Sequence, residues 1–157
     1  MHEVKIRQIC YGSEEHRAAF DLRNQVLRIP RGLDLYRENP HYEADALHLG
    51  AFMGSSLIGT VCFWIENDYI LVKHVAVDSN LRGSGIGKKL MSWVEQYARE
   101  NEMCRILLKA RVSAEGFYHS LGFHAVGEVI ADSIPHIMME KLLRSLFSHY
   151  RTIQSNF

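Results

Sequence analysis

The sequence predicts an α/β domain built on a mixed, mostly antiparallel sheet. With 157 residues, of which 47% are hydrophobic and 23% charged, the chain can bury one core without disulfides. Apolar residues alternate with polar ones in some stretches and recur at helical spacing in others. The resulting order is strand, helix, three strands, helix, strand, helix, two strands. No internal repeat or low-complexity tract interrupts it, so we expect a single domain over residues 1–157.

The first strand and the first helix are predicted from alternation and capping. "EVKIRQI" alternates apolar and polar residues as a half-buried strand does. Ser13, followed by Glu14 and Glu15, is placed to cap a helix that runs toward Pro30. The stretch Arg28–Asp45 contains two prolines, a glycine and mixed charges, and is predicted to be a long surface loop with a short helical turn.

Three strands and a long helix are predicted next. Leu47–Met53 and Leu57–Ile65 are predicted to form a hairpin around a Gly-Ser-Ser turn. "DYILVKHVAV" is a third strand, and its nearly continuous apolar residues predict that both of its faces are covered. Apolar residues from Leu90 to Ala98 recur at helical spacing, which predicts a helix over Ser84–Asn101.

The C-terminal elements are shorter. "RILLKA" is predicted to be a strand, and "SAEGFYHSLGF" a short helix opened by Ser113 and ending near Gly122. "HAVGEVI" and "PHIMMEKLL" are predicted to close the sheet as two strands. Residues 142–157 include further apolar side chains and are predicted to form a C-terminal helical tail.

Charge and cysteine content exclude several classes of protein. The 18 basic and 18 acidic side chains cancel, which argues against a nucleic-acid binder that relies on a global positive field. The three cysteines are widely spaced, so neither a disulfide framework nor a metal site is expected. No stretch has the apolar core of a signal peptide or the length of a membrane span, and we therefore expect a cytoplasmic protein with no membrane partner.

The stretch "VAVDSNLRGSGIGKKL" places three glycines within five positions between a predicted strand and a predicted helix. Such loops bind phosphate groups through free backbone amides and the helix dipole. The stretch departs from the Walker A consensus at two positions. It also departs from the dinucleotide-binding fingerprint, because Lys88 stands where the third glycine is required. The pattern that fits is R-x-x-G-x-G from Arg82 to Gly87; the alternative is a plain strand-to-helix turn that binds nothing.

This loop resembles the acetyl-CoA pyrophosphate loop of the GNAT superfamily of N-acetyltransferases. A second stretch, "ARVSAEGFYHSLGF", resembles the other signature of that family, and it follows the loop at the family's separation of one helix and one strand. The resemblance covers Leu57 to about Leu142. It implies the GNAT fold, in which a six- to seven-stranded sheet is splayed between the fourth and fifth strands and flanked by helices.

The resemblance also implies acetyl-CoA as cofactor and a set of residues that bind it. Amides from Gly83 to Lys88 would hold the pyrophosphate, and backbone groups around Val75 and Val77 would pair with the pantetheine in the splay. Arg111 stands where many relatives carry Asn. The residues expected to bind the cofactor are Val75, Ala76, Val77, Arg82, Gly83, Ser84, Gly85, Ile86, Gly87, Lys88, Arg111, Ala114, Phe117 and Tyr118.

The catalytic residues implied by the resemblance are Tyr118, Lys73 and His74. Tyr118 is the candidate acid for the thiolate, since a phenol with a pKa near 10 can donate to it; the alternative is that Tyr118 only packs. Neither Lys73 nor His74 matches the glutamate base of many relatives, and a structural role for His74 or deprotonation by water stays open. Candidates for acceptor binding, each equally consistent with a solvated charge, are Arg23, Arg28, Arg31, His48 and His136.

These features together predict an N-acetyltransferase that acylates a primary amine of a small molecule or peptide by direct attack on acetyl-CoA. One rival is a non-catalytic CoA-binding or sensor module of the same fold. Another is a nucleotide-binding enzyme, which would prefer NAD or ATP to CoA. No nucleic-acid partner is expected, and a homodimer remains open.

Overall fold

The computed structural model describes residues 3–38, 41–131 and 133–143. Three helices accompany the sheet, α1 (Glu14–Arg23), α2 (Ile86–Glu100) and α3 (Glu115–Ser120). The seven strands are β1 (Val4–Ile9), β2 (Leu47–Met53), β3 (Ser56–Ile65), β4 (Tyr69–Val77), β5 (Arg105–Arg111), β6 (His124–Ala125) and β7 (His136–Leu142).

The strands are hydrogen-bonded in the order β1-β2-β3-β4-β5-β7-β6. The pairs β1–β2, β2–β3, β5–β7 and β6–β7 are antiparallel, whereas β4 and β5 are parallel. The predicted fold class, a mixed and mostly antiparallel sheet with flanking helices, is therefore confirmed. No helix in the described part of the chain is long and apolar enough to cross a membrane.

The chain divides into two compact units. The first consists of Met1–Trp64 and Lys73–Val94, and the second of Ile65–Val72 and the chain from Glu95 onward. Both β4 and α2 contribute residues to both units. This division therefore does not test the prediction of a single domain. Residues with almost no exposed surface form the interior of the first unit, among them Leu49, Ala51, Val61, Phe63, Leu90 and Val94.

In the first unit, α1 begins as predicted, because the Ser13 side chain accepts a hydrogen bond from the His16 amide at 3.1 Å. The helix continues as a π-helical turn over Asn24–Arg28. The predicted surface loop that follows contains three short 3₁₀ turns, over Ile29–Arg31, Leu35–Arg37 and His41–Asp45. We call residues 28–38 and 41–45 the acceptor segment, after the prediction that Arg28 and Arg31 bind the acceptor.

Gly59 on β3 lets the start of α2 pack closely against the sheet. A Cβ atom at Gly59 would lie 2.9 Å from Ile86 Cγ2 and 3.2 Å from Leu90 Cδ1. We expect Gly59→Val to lower the free energy of unfolding by about 1–3 kcal/mol, measured by urea denaturation, because the added methyl groups overpack this contact. Gly116→Ala is the matched control, since nothing lies within 4 Å of its Cβ position, and equal stability of both variants would contradict the expectation.

The second unit differs from the sequence prediction at two places. Residues Val112–Ala114 form a 3₁₀ turn, and α3 begins after Ala114 without a side-chain cap, so Ser113 is not its cap. Of the predicted strand "HAVGEVI" only His124–Ala125 joins the sheet, with an isolated bridge from Ile130 to His136. The predicted C-terminal helix falls almost wholly on residues 144–157, outside the described residues.

The parallel ladder between β4 and β5 is short. It pairs Tyr69–Val72 with Arg105–Leu108. Ile70, Val72 and Ala76 are buried, but Leu71, Val75 and Val77 on the opposite face are only half-buried. Both faces are therefore covered to a large extent, as predicted, but one of them less completely than the other.

Candidate functional site

The glycine loop between β4 and α2 is built from a 3₁₀ turn and two left-handed glycines. Asp78 caps the turn Ser79–Leu81 by accepting the Asn80 amide at 2.9 Å, and the Asp78 amide donates to the Ile58 carbonyl of β3 at 2.9 Å. Gly83 and Gly85 then adopt φ angles of +82° and +86°. Glycine reaches this conformation without the strain that a Cβ introduces, so the two glycines permit the turn.

Backbone amides at the start of α2 are available to a ligand. The Lys89 amide makes the first helical hydrogen bond, to the Gly85 carbonyl at 3.0 Å, so the amides that precede it have no carbonyl partner within the helix. The Ser84 amide differs, because it donates to the Leu81 carbonyl at 3.3 Å. The helix dipole adds positive potential at this end, which suits a diphosphate.

The space above the loop is open and basic. A Cβ atom added at Gly83 or Gly85 would meet nothing within 4 Å. Arg82, Lys88 and Lys89 are exposed beside this space, whereas Ile86 is buried and fixes the first helical turn to the core. The residues present therefore fit the pyrophosphate of acetyl-CoA.

A second group of polar residues lies buried in the first unit. Arg23 donates to both carboxylate oxygens of Glu43, each at 2.8 Å, and the two residues are 3% and 0% exposed. Glu43 Oε1 also lies 3.4 Å from His74 Nε2, but the two atoms make no hydrogen bond. Burial raises the pKa of Glu43, but the hydrogen bonds from Arg23 outweigh it and hold the pKa below its usual range. Glu43 is therefore ionised at neutral pH.

His74 has unusual backbone and side-chain properties. It has a φ angle of +59° within β4, a left-handed conformation that costs energy for a residue with a Cβ. Burial, with a further contribution from Arg23, lowers the pKa of His74 to about 3. The contact with Glu43 thus joins a neutral imidazole to a carboxylate, not two opposite charges.

Cys62 completes a set of three metal-ligating side chains that the sequence did not predict. Ligand atoms of Glu43, Cys62 and His74 lie within 4.8 Å of one another. However, Arg23 already uses both oxygens of Glu43, and burial raises the pKa of the Cys62 thiol to about 12. Because a cation would compete with a guanidinium and would have to deprotonate this thiol, the cluster does not favour a metal ion.

The buried, neutral histidines of the first unit predict that the free energy of unfolding falls at acidic pH. The pKa values of His16, His48 and His74 all lie below 6.5, chiefly because burial disfavours the imidazolium. Between the folded and unfolded pKa values only the unfolded chain binds the proton, so stability is complete above pH 6.5 and falls as the pH is lowered. From His74 alone we expect a loss of about 2 kcal/mol between pH 7 and pH 5.

The measurement is urea denaturation at a series of pH values. His74→Gln, which has no titrating group, should flatten the profile between pH 7 and pH 5 relative to the wild type. An unchanged slope in this variant would show that His74 does not contribute.

Tyr118 lies in the second unit on α3 and is 9% exposed. Its ring packs edge-on against Phe117 and Phe123, with centroid distances of 5.0 and 5.9 Å. Within the described residues no hydrogen bond reaches its hydroxyl. Burial raises the pKa of Tyr118 to about 12, above the value near 10 expected from the sequence, so the phenol keeps its proton throughout the physiological range.

Other predicted site residues differ widely in environment. The Nζ atom of exposed Lys73 lies 5.2 Å from the Trp64 ring centre, and Trp64 stacks on Tyr42. Arg28 donates to Glu38 at 2.7 Å, and Arg31 is exposed. In the second unit Phe117 is 39% exposed, and Arg111 and Ala114 are half-buried.

Two predicted acceptor-binding histidines are buried instead of lying on the surface. His48 is 4% exposed and its Nε2 lies 2.8 Å from the Glu43 carbonyl oxygen. His136 is 7% exposed, and its Nδ1 lies 3.2 Å from the Ile134 carbonyl oxygen. The alternative of a solvated surface charge is therefore excluded for both.

Sequence reasoning missed Asn24 and Glu43, and its placement of Arg23 at the acceptor is wrong, because Arg23 is buried and paired with Glu43. Asn24 is 8% exposed; its Oδ1 accepts the Leu35 amide at 2.8 Å. Arg23 and Glu43 are separated by twenty positions, a distance at which no helical or strand periodicity relates two side chains. The only local signal is that Arg23 and Asn24 continue the apolar face of α1, where charged residues are rarely placed without a partner.

Comparison with known proteins extends over most of the chain. Residues 30–143 match the family model described as an acetyltransferase (GNAT) domain. The chain is 24% identical over 137 residues to the uncharacterized N-acetyltransferase YitI of Bacillus subtilis (strain 168), covering 80% of this chain and 91% of that protein. It is 30% identical over 116 residues to the N-acetylaspartate synthetase of Xenopus tropicalis, covering 59% of this chain and only 43% of that one.

A solved structure with the same fold contains the cofactor. The GNAT family acetyltransferase from Elizabethkingia anophelis with acetyl-CoA bound has a TM-score of 0.70 and 17% identity, over 89% of this chain and 98% of that one. The identity is low, so this likeness establishes the fold alone.

Proposed function

This chain belongs to the GNAT acetyltransferase family and uses acetyl-CoA, and from that premise we propose that it acetylates a primary amine by direct attack on the thioester. The observation that supports this most is the glycine loop. Two left-handed glycines, the amides at the start of α2 and an open basic space together suit a pyrophosphate.

The glycine loop and the end of β4, both in the first unit, have roles in the proposed reaction. Acetyl-CoA supplies the acetyl thioester when it is bound. Amides from Gly85 to Lys88 bind the pyrophosphate, while Arg82 and Lys88 add positive charge. Backbone groups around Val75 and Val77 pair with the pantetheine, which is consistent with the end of the β5 ladder at Val72.

Tyr118 donates a hydrogen bond to the sulfur of the departing CoA thiolate in this proposal. Its hydroxyl has no hydrogen-bond partner within the described residues, so it is available to a ligand. With a pKa of about 12, Tyr118 holds its proton more tightly than a thiol with a pKa near 8.5 does. We therefore propose that Tyr118 acts mainly as a hydrogen-bond donor that stabilises the sulfur.

Neither candidate base is favoured by its environment. A pKa of about 3 gives His74 too little affinity for the proton of an ammonium group, which supports the structural role that the sequence left open. Lys73 is exposed, and water reaches it directly. We propose that the acceptor amine loses its proton to water.

The acceptor is proposed to be a small molecule or peptide amine that carries an acidic group. The support is the exposed Arg31 on the acceptor segment, together with the similarity to a relative named N-acetylaspartate synthetase. Arg28 lies on the same segment, where its guanidinium is paired with Glu38.

The test is CoA release from acetyl-CoA with a panel of acidic and neutral amino acids, polyamines and peptides. We expect an acidic amine to give the highest kcat/KM. Thermal stabilisation by CoA without turnover of any amine would favour a non-catalytic CoA-binding module. Stabilisation by NAD or ATP instead of CoA would favour a nucleotide-binding enzyme.

A further inference from the structure

The acceptor segment is fixed to the preceding helical turn by polar contacts near its middle. The side-chain amide of Asn24 accepts the Leu35 amide proton at 2.8 Å and donates to Asp34 Oδ1 at 3.2 Å. Leu35 is 2% exposed, so an apolar anchor accompanies these hydrogen bonds. Arg28 adds an exposed ion pair with Glu38 at 2.7 Å.

Glu43 fixes the far end of the same segment. Its carboxylate accepts two hydrogen bonds from Arg23 of α1, and its backbone carbonyl oxygen lies 2.8 Å from His48 Nε2 of β2. The same carboxylate lies 3.4 Å from His74 Nε2 of β4. One fully buried residue therefore touches three elements of the first unit.

The contact with His74 occurs at a strained position of β4. A φ angle of +59° persists in a residue with a Cβ only where the surroundings impose it, and the carboxylate of Glu43 lies 3.4 Å from the side chain of this residue. His74 is followed directly by Val75, the first of the residues to which we assign the pantetheine.

We propose that Glu43 is a positioning residue for the transfer reaction, because its contacts with Arg23 and His74 hold the acceptor segment against β4 before an acceptor binds. The proposal rests on the proposed function in one respect: the acceptor segment is taken to line the amine site. A bidentate pair of buried ions is suited to this role, since it fixes orientation as well as distance.

The double variant Arg23→Met/Glu43→Leu tests the proposal better than Glu43→Gln alone. Glu43→Gln keeps the shape of the side chain but leaves the buried Arg23 without a counter-charge, which destabilises the fold. The double variant Arg23→Met/Glu43→Leu avoids this, because apolar replacement of a buried ion pair is commonly neutral or stabilising. Glu140→Gln is the matched control; it breaks the ion pair with Arg105, also 2.8 Å long, in the second unit.

The first measurement is hydrogen exchange of the protein without ligands. In the wild type we expect amides of the acceptor segment to be protected, the Leu35 amide above all. In the double variant their exchange should rise at least about tenfold while β5 and β7 stay unchanged. A wild-type segment that exchanges as fast as an unfolded peptide would overturn the proposal, and so would a uniform rise across the chain.

The second measurement is steady-state kinetics with the amine of the panel that releases CoA fastest. The double variant should lower kcat/KM for this amine by roughly 10- to 100-fold, through KM, while the KM for acetyl-CoA changes less than about twofold. Glu43→Asp, which keeps the charge, should recover part of the loss. Loss of kcat with an unchanged KM for the amine, or an equal effect of Glu140→Gln, would contradict positioning.

Failure of this proposal can be distinguished from failure of the proposed function. If no amine releases CoA, the proposed function is wrong, and hydrogen exchange alone then decides whether Glu43 fixes the segment. If amines react but exchange in the acceptor segment is the same in all variants, the function stands and the role of Glu43 is rejected.

Discussion

Replacement of Tyr118 by Phe should lower kcat by roughly 10- to 1000-fold and leave acetyl-CoA binding nearly unchanged. The variant removes only the hydroxyl, which has no hydrogen-bond partner within the described residues, and keeps the ring contacts with Phe117 and Phe123. The fold should therefore survive. Rates of CoA release, together with binding of acetyl-CoA by calorimetry, measure the two effects separately.

Tyr69→Phe is the matched control for the Tyr118 variant. Tyr69 also lies in the second unit, and its ring keeps its contact with Arg105 when the hydroxyl is removed. We expect wild-type kcat from this control. A Tyr118 variant that loses binding and turnover to the same extent would show that Tyr118 only packs and does not stabilise the departing sulfur.

Replacement of Gly85 by Asp should abolish the thermal stabilisation that acetyl-CoA gives the wild type. At a ligand concentration of about 100 Kd this stabilisation amounts to about 2.7 kcal/mol. The new carboxylate would lie at the start of α2, where the pyrophosphate is proposed to bind, and it would repel the phosphates. The positive φ angle of Gly85 adds a strain that lowers the stability of the free variant as well.

Gly54→Asp separates these two effects. Gly54 has a φ angle of +62° in the exposed turn between β2 and β3, and nothing lies within 4 Å of its Cβ position. Replacing it by Asp introduces the same kind of backbone strain as the Gly85 variant has, but in a different loop. This control should melt earlier than the wild type yet keep the full stabilisation by acetyl-CoA. Equal stabilisation of the Gly85 variant would remove the loop from the cofactor site.

Local sequence patterns were sufficient to predict most of the helices and strands and the cofactor loop. The cap at Ser13, the hairpin of β2 and β3 and the helix after the glycine loop each depend on residues close together in sequence. The glycine loop was predictable for the same reason, since its φ angles are set by glycine itself. The C-terminal strand after Phe123 was predicted too long, because its apolar residues alternate without a neighbouring strand to pair with beyond Ala125.

Tertiary structure alone decided the buried polar cluster and the proton affinities within it. Arg23, Glu43, Cys62 and His74 come from four separate segments, and no spacing in the sequence relates them. The pKa of His74 is about 3 because the fold buries it beside Arg23, and that of Tyr118 is about 12 because the fold removes it from water. Sequence fixes which groups can ionise, whereas their desolvation and their charged neighbours depend on contacts that exist only after the chain has folded.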